Sequence, residues 1–511
     1  MLDSARHWMP LEVVKRNLDA MAAVKLNVFH WHLSEDQGFR VESKRFPRLQ
    51  QEGSDGLFYT QDEIRGVVAY ARDRGIRVVP EFDIPGHTTA WLVGYPELGT
   101  NPGPYEIGRK WGVYENALDP SREETYAFLD AFFEEMTALF PDPYFHIGGD
   151  EVRANQWNAS ARVQAWAKEH NLKDAHAIQA FFNQRVQKLL TKRGKILIGW
   201  DEVLHPDLSR DIVVQSWRGQ KSLAEAANKG YRGILSWGYY LDHLSPAAFH
   251  YGVDPMSGDA DSLGAEQKSR ILGGEMCMWA EYTTSEMVDS RIWPRAAVIA
   301  ERLWSPAATR DVDSMYARME AASRLLEWTG VQHRANYEPM LERMAAGRPV
   351  EPLRVLADAV EGLGLGPRAR AGKYTSLTPM NRLADAARPQ SESVRALELA
   401  AAKVAADPKG SPAESALLRS EFSRWAANDA PFQELAAASP LLAELKPLSR
   451  DLASLGNAGL KLLDAMEKEQ APAPAFVAEQ TREITRMEKP AAELTLAATR
   501  PVKLLLKGGR K

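Results

Sequence analysis

"TQDEIRGVVAYARDRGIRVVPEF", residues 60–82, contains a whole helix followed at once by a strand. Thr60 and Glu63 form a capping box ahead of "IRGVVAYARDR", and Gly75 supplies the residue on which such a helix ends. "IRVVPEF" at 76–82 is then a short, continuous apolar run, the pattern of a strand buried on both faces. The same theme repeats through the first three hundred residues. Strands are predicted near 2–6, 25–32, 76–82, 143–148, 195–200, 212–217, 231–237 and 271–278, with helices between most of them. A second capping box is read at Ser121 and Glu124, with Pro141 closing the helix that follows. Gly194 and Gly230 mark two more helix ends. Eight apolar strands alternating with helices predict an α/β fold, a (β/α)8 TIM barrel.

After about residue 350 the character changes. "NRLADAARPQSESVRALELAAAKVAAD" and "SPLLAELKPLSRDLASLGNAGLKLLDAMEK" are rich in Ala and Leu, helical in period and poor in aromatics. This predicts a barrel over residues 1–345 and an all-α module over 346–511, closed by the basic tail "KLLLKGGRK".

Composition bounds the function. A chain of 511 residues, 45% hydrophobic and 26% charged, is long enough for two or three domains. A net charge of −5 with both signs interspersed argues against a nucleic-acid partner. The single cysteine, Cys277, excludes an internal disulfide and a cysteine-based metal cluster. No apolar run reaches the roughly 18 residues of a membrane span. "MLDSARHWMP" lacks the basic end and apolar middle of a signal peptide, and strand-like sequence starts so soon that the beginning reads as abrupt.

A barrel of this kind carries its chemistry at the C-terminal ends of the strands. The predicted ends hold Arg6 and His7, His30 and His32 with Asp36 beyond, Glu81 and Asp83 with His87, then Asp150 and Glu151. Trp200 with Asp201 and Glu202, Trp217, then Tyr239, Tyr240 and Asp242, and finally Trp279 and Glu281 complete the set. Tryptophan faces pack on the C–H faces of pyranose rings, while carboxylates and arginine bind hydroxyls, so the set points to a sugar. Taken singly, each tryptophan could equally be core, and Asp150–Glu151 after two glycines could be a solvated turn. "HWH" at 30–32 could open a metal site, but His87 and His146 each read better in another local context, and no metal is expected.

Eight stretches carry a resemblance: "DSARHWMP", "NVFHWHLSEDQGFR", "EFDIPGHTTA", "FHIGGDEV", "GWDEV", "QSWRG", "YYLD" and "GGEMCMWAEY". In this order, over residues 1 to about 340, they resemble the β-N-acetylhexosaminidases of glycoside hydrolase family 20. The resemblance implies an exo-acting hydrolase of terminal β-linked N-acetylglucosamine or N-acetylgalactosamine, with no cofactor. It implies that the substrate's own acetamido oxygen is the nucleophile, an exception to the usual two-carboxylate scheme. Glu151 would then be the general acid and Asp150 the partner of the acetamido N–H. Tyr240 would donate to the acetamido oxygen, with Tyr239 the alternative if the register is misjudged. Asp36 and His87 would form a relay to Glu151. Arg6 would bind the 3- and 4-hydroxyls, Asp242 and Glu281 the 4- and 6-hydroxyls, and Trp200, Trp217 and Trp279 would enclose the ring. The expected partners are N-acetylhexosamine-terminated oligosaccharides or glycoconjugates, and the expected location is extracytoplasmic. The family usually carries an α/β domain before the barrel, which this sequence lacks, and the helical module lies outside the resemblance. Two readings compete. A chitinase-type barrel should show Asp-x-x-Asp-x-Asp-x-Glu along one strand, and none is found; a catalytically silent sugar-binding protein should have lost Asp150, Glu151 or Tyr240, and all are present. A third makes the helical module an interaction platform.

Overall fold

The computed structural model describes residues 1–372 and 374–508; the last three residues of the basic tail, 509–511, lie outside it. Eight strands form one sheet in sequence order: Leu2–Asp3, Val28–His32, Arg77–Glu81, Tyr144–His146, Ile196–Trp200, Val213–Ser216, Arg232–Leu235 and Ile271–Gly274. Every pairing is parallel. A parallel bridge between Leu2 and Met278 joins the last strand region to the first, with the Asp3 amide donating to the Met278 carbonyl at 3.1 Å. The sheet is therefore closed, an α/β barrel.

The eight strands are where the apolar runs predicted them, but shorter. The first stops at Asp3 because its Oδ1 accepts the amides of Ala5 (2.9 Å) and Arg6 (3.1 Å), turning the chain into the site. The fourth stops at His146 because Gly148 and Gly149 adopt positive φ, 65° and 91°. The helix Gln61–Arg72 has the capping box read at Thr60 and Glu63, and Gly75 follows it with φ 72°. The second predicted box is absent. The helix is Glu123–Leu139 with no side-chain cap, and the Ser121 amide and hydroxyl turn back onto Asp119 Oδ1 instead.

Strand alternation divides the barrel interior into levels. Val79, Ile198 and Val213 pack with Val28, Tyr144, Ile196 and Ile234 as an apolar level. One or two steps further along the strands come His30, His32, Glu81, His146, Trp200 and Gln215, all buried. The larger core packs the sheet against its helices.

Two compact units divide the chain, the first comprising residues 1–242, 247–331 and 374–378. The second unit has its own core, including Leu353, Leu397, Phe422, Trp425, Leu455 and Leu462. Its long helices include Glu392–Ala406, Pro412–Ala427 and Lys446–Glu467. Glu361–Gly362 pairs antiparallel with Leu494–Thr495, so the unit is mainly helical rather than wholly so. Two-residue strands leave no alternation in a sequence to read.

Candidate active site

The strand ends of the barrel converge on one acidic and aromatic site. Gly148 and Gly149 explain how Asp150 and Glu151 arrive there. A Cβ on Gly148 would lie 1.9 Å from Asp83 Oδ1, and the Gly149 amide donates to that same oxygen at 3.0 Å. The chain thus closes over a buried carboxyl that any side chain at 148 would displace. Glu151 and His87 are themselves left-handed, with φ 50° and 54°, conformations that non-glycine residues hold only when their surroundings impose them.

His87 faces both members of the acidic pair. Its Nε2 lies 3.7 Å from Glu151 Oε2 and 3.9 Å from Asp150 Oδ2. On the other side its Nδ1 lies 3.1 Å from Glu35 Oε2 and 3.6 Å from Asp36 Oδ2. Glu35 is therefore the nearer carboxylate, whereas Asp36 Oδ1 is occupied by the amide (3.0 Å) and hydroxyl (2.5 Å) of Thr89. The sequence pointed to Asp36 alone. A two-residue hairpin, Ser34–Glu35 with Gly38–Phe39, presents both neighbours to His87.

The charges follow from these contacts. Burial opposes a charge on His87, but Glu35 and Asp83 outweigh it and hold its pKa well above the usual value. Burial would raise the Glu35 carboxyl, yet Arg6 and His87 hold it well below the ordinary range. Asp36 is pushed up to about 6, by burial first. The Glu151 carboxyl is raised by burial and then by Asp150, so it tends to keep its proton.

Aromatic residues make the remaining wall. Trp200 and Trp279 pack around Cys277 with Trp217 and Tyr240 against them, and the Trp200 and Trp279 rings are 5.6 Å apart. The indole N–H of Trp217 donates to Glu202 Oε2 at 3.0 Å and that of Trp200 to Glu81 Oε1 at 2.9 Å. Tyr240 and Tyr239 are cleanly separated. Tyr239 is buried in the main core with its hydroxyl donating to the Val253 carbonyl at 2.9 Å, while Tyr240 joins the tryptophans, its ring 6.3 Å from that of Trp279.

Arg6 sits over the Trp279 ring at 4.8 Å, its Nη2 2.7 Å from Glu35 Oε1 and its Nε 3.6 Å from Glu281 Oε1. Burial raises the Glu281 carboxyl, against the pull of Arg6, and raises Asp242 well above its usual value with Glu281 adding to the effect. The eleven residues singled out from the sequence thus gather at one end of the barrel. Glu202, not singled out as a site residue, joins them, and burial followed by Asp150 pushes its carboxyl up to about 8.

His30, Glu81 and His146 place one donor atom each within 4.8 Å of one another, the geometry of a metal triad. Several of these atoms already have close partners. His146 Nδ1 accepts the Gly148 amide at 2.9 Å, and the His30 nitrogens lie 2.7 Å from Glu275 Oε1 and 2.9 Å from Glu81 Oε2. The three side chains form a buried ion-pair network around Glu81.

The sequence model described as "Glycosyl hydrolase family 20, catalytic domain" matches residues 1–307. Among curated proteins, a β-hexosaminidase of Porphyromonas gingivalis is 37% identical over 360 residues, covering 65% of this chain and 46% of the relative. The human β-hexosaminidase subunit beta is 35% identical over 362 residues, covering 68% of this chain and 61% of the relative. The chain thus spans about half the length of the first and less than two thirds of the second. Among solved structures, a Flavobacterium johnsoniae chitobiase superposes with a TM-score of 0.92 at 40% identity, covering 99% of this chain and 77% of that one. The Vibrio harveyi exo-β-N-acetylglucosaminidase in complex with N-acetylglucosamine gives 0.59 at 32% identity, covering 65% and 57%.

Proposed function

The chain belongs to glycosyl hydrolase family 20, and on that premise we propose that it is an exo-β-N-acetylhexosaminidase acting through its substrate's acetamido group. The observation that carries the reading is the pair Asp150–Glu151 under one imidazole, His87, beside a wall of tryptophan. Two carboxyls on adjacent residues serve two atoms of one sugar. Glu151, with its raised pKa, donates its proton to the leaving glycosidic oxygen. The acetamido carbonyl oxygen bonds to the anomeric carbon as the bond to the leaving oxygen breaks, giving an oxazolinium ion. Asp150 accepts the acetamido N–H and offsets the positive charge on that ring, and Tyr240 donates to the acetamido oxygen. Glu151, now anionic, takes a proton from water, whose oxygen attacks the anomeric carbon and reopens the ring with net retention.

His87 holds the acid, and Glu35 with Asp36 holds His87. Arg6, Asp242 and Glu281 take the distal hydroxyls, and Trp200, Trp217 and Trp279 enclose the ring. The substrates are N-acetylhexosamine-terminated oligosaccharides or glycoconjugates, met outside the cytoplasm; among the described residues no helix is long and apolar enough to cross a membrane. The reaction is assigned to the barrel, residues 1–345, with the helical sequence of 346–511 as an accessory. Incubation with aryl N-acetyl-β-glucosaminide and N-acetyl-β-galactosaminide tests the activity. Release of the aryl alcohol with the β-sugar as first product supports it, and no turnover of either rejects it.

A further inference from the structure

Glu81 ends the third barrel strand and is fully buried, yet four side chains from three other strands surround its two oxygens. Its Oε2 lies 2.5 Å from His32 Nδ1 and 2.9 Å from His30 Nε2. Its Oε1 accepts the Trp200 indole N–H at 2.9 Å and lies 3.2 Å from His146 Nδ1. The contacts continue outward. His32 Nε2 lies 3.5 Å from Glu35 Oε1, and Glu35 Oε2 meets His87 Nδ1 at 3.1 Å. The His32 ring also stands edge-on to Trp279, 5.0 Å between centroids.

We propose that Glu81 is a positioning residue for the reaction, one buried anion that fixes the Trp200 platform on one side and, through His32 and Glu35, the imidazole of His87 on the other. The assignment rests on the reading of Glu151 as the acid. A carboxylate buried here is costly unless its partners are well placed. Burial would raise it, but His32, His146 and His30 hold its pKa well below the ordinary range. His32 is in turn raised to about 10: burial opposes the charge, and Glu81, Glu35 and Asp3 overcome it. As an imidazolium, His32 donates from Nδ1 to Glu81 and holds its positive Nε2 side 3.5 Å from Glu35 Oε1, a charge contact rather than a hydrogen bond. Without the anion the chief support of the positive charge on His32 is gone, so the charge contact between His32 and Glu35 weakens and the Glu35–His87 contact loses part of its anchor.

Glu81→Gln keeps the size and can still accept from Trp200, and His32→Gln interrupts the same chain at the next link. Each is measured on an aryl N-acetyl-β-glucosaminide across the pH range, with thermal melting to establish folding. For folded variants kcat should fall at least ~10-fold, KM should change less than ~3-fold, and the basic limb of kcat/KM should move by about half a unit. A folded variant with kcat and pH profile matching the wild type overturns the proposal. If Glu81→Gln does not fold, His32→Gln decides alone. If the wild type itself leaves the substrate untouched, the functional reading fails, and imidazole 15N spectra still decide this one. A neutral His32 and a displaced His87 resonance in Glu81→Gln support it, and unchanged spectra reject it.

Discussion

His87 Nε2 stands 3.7 Å from Glu151 Oε2, and burial and then Asp150 raise the pKa of that carboxyl. On the proposed reading Glu151 carries the transferable proton. Glu151→Gln should leave the fold intact and lower kcat on disaccharides by roughly 10²–10⁴, the usual worth of a general acid. Activated aryl glycosides need less protonation, so their loss should be smaller. Steady-state kinetics on the two substrate types checks this, and near-wild-type disaccharide turnover removes Glu151 from the role.

The pH profile separates the two carboxyls. If Glu151 is the acid, as proposed, activity should fall as pH rises through a value above the ordinary carboxylate range. Asp150 is the second cause of that elevation, after burial. Asp150→Asn removes a neighbouring negative charge, so besides slowing the reaction it should move the basic limb of kcat/KM to lower pH. A limb that stays in place or moves upward contradicts the assignment.

The neighbouring tyrosines should behave oppositely. On the proposed reading Tyr240→Phe removes the donor to the acetamido oxygen and should cost ~10²–10³ in kcat. Tyr239→Phe loses a hydrogen bond to the Val253 carbonyl, so it should cost ~1 kcal/mol of stability while kcat stays near the wild-type value. Melting temperature and kcat, measured on both, distinguish them.

Glu202 offers a stability test. Its carboxyl titrates at about 8 in the fold, well above its unfolded value, because of burial and then Asp150. The folded state therefore loses stability as pH rises from the unfolded value through about 8. Glu202→Gln should melt progressively higher than the wild type as pH is raised across that window, with little difference in mild acid. Equal melting curves at high pH would refute the assigned titration.

Much of this was legible in the sequence because barrel strands announce themselves. Apolar runs ending in polar or aromatic residues placed Arg6, His87, Glu151, Trp200 and Glu281 at one end of the sheet before any coordinates. What the sequence left open lay in choices between neighbours. Glu35 and Asp36 are adjacent carboxyls, and only the hairpin at Ser34–Glu35 decides which lies nearer His87. Tyr239 and Tyr240 are likewise adjacent, and only the fold sends one into the core and the other to the tryptophans. Ser121 followed the capping pattern yet turned to Asp119, a local competitor three-residue spacing does not reveal. Glu81 was visible as a strand end, but its role as a hub depends on partners 49 to 119 positions away.

The central claim is that the substrate's acetamido oxygen is the nucleophile, and 2-hydroxy sugars test it most directly. An intramolecular nucleophile held at the reacting carbon is worth up to roughly 7–11 kcal/mol. The decisive measurement is kcat/KM for an aryl N-acetyl-β-glucosaminide against the matching aryl β-glucoside, at one pH and one enzyme concentration. The account predicts that the glucoside is slower by at least ~10³-fold, because it lacks the intramolecular nucleophile. A glucoside turned over within tenfold of the acetamido substrate would contradict it.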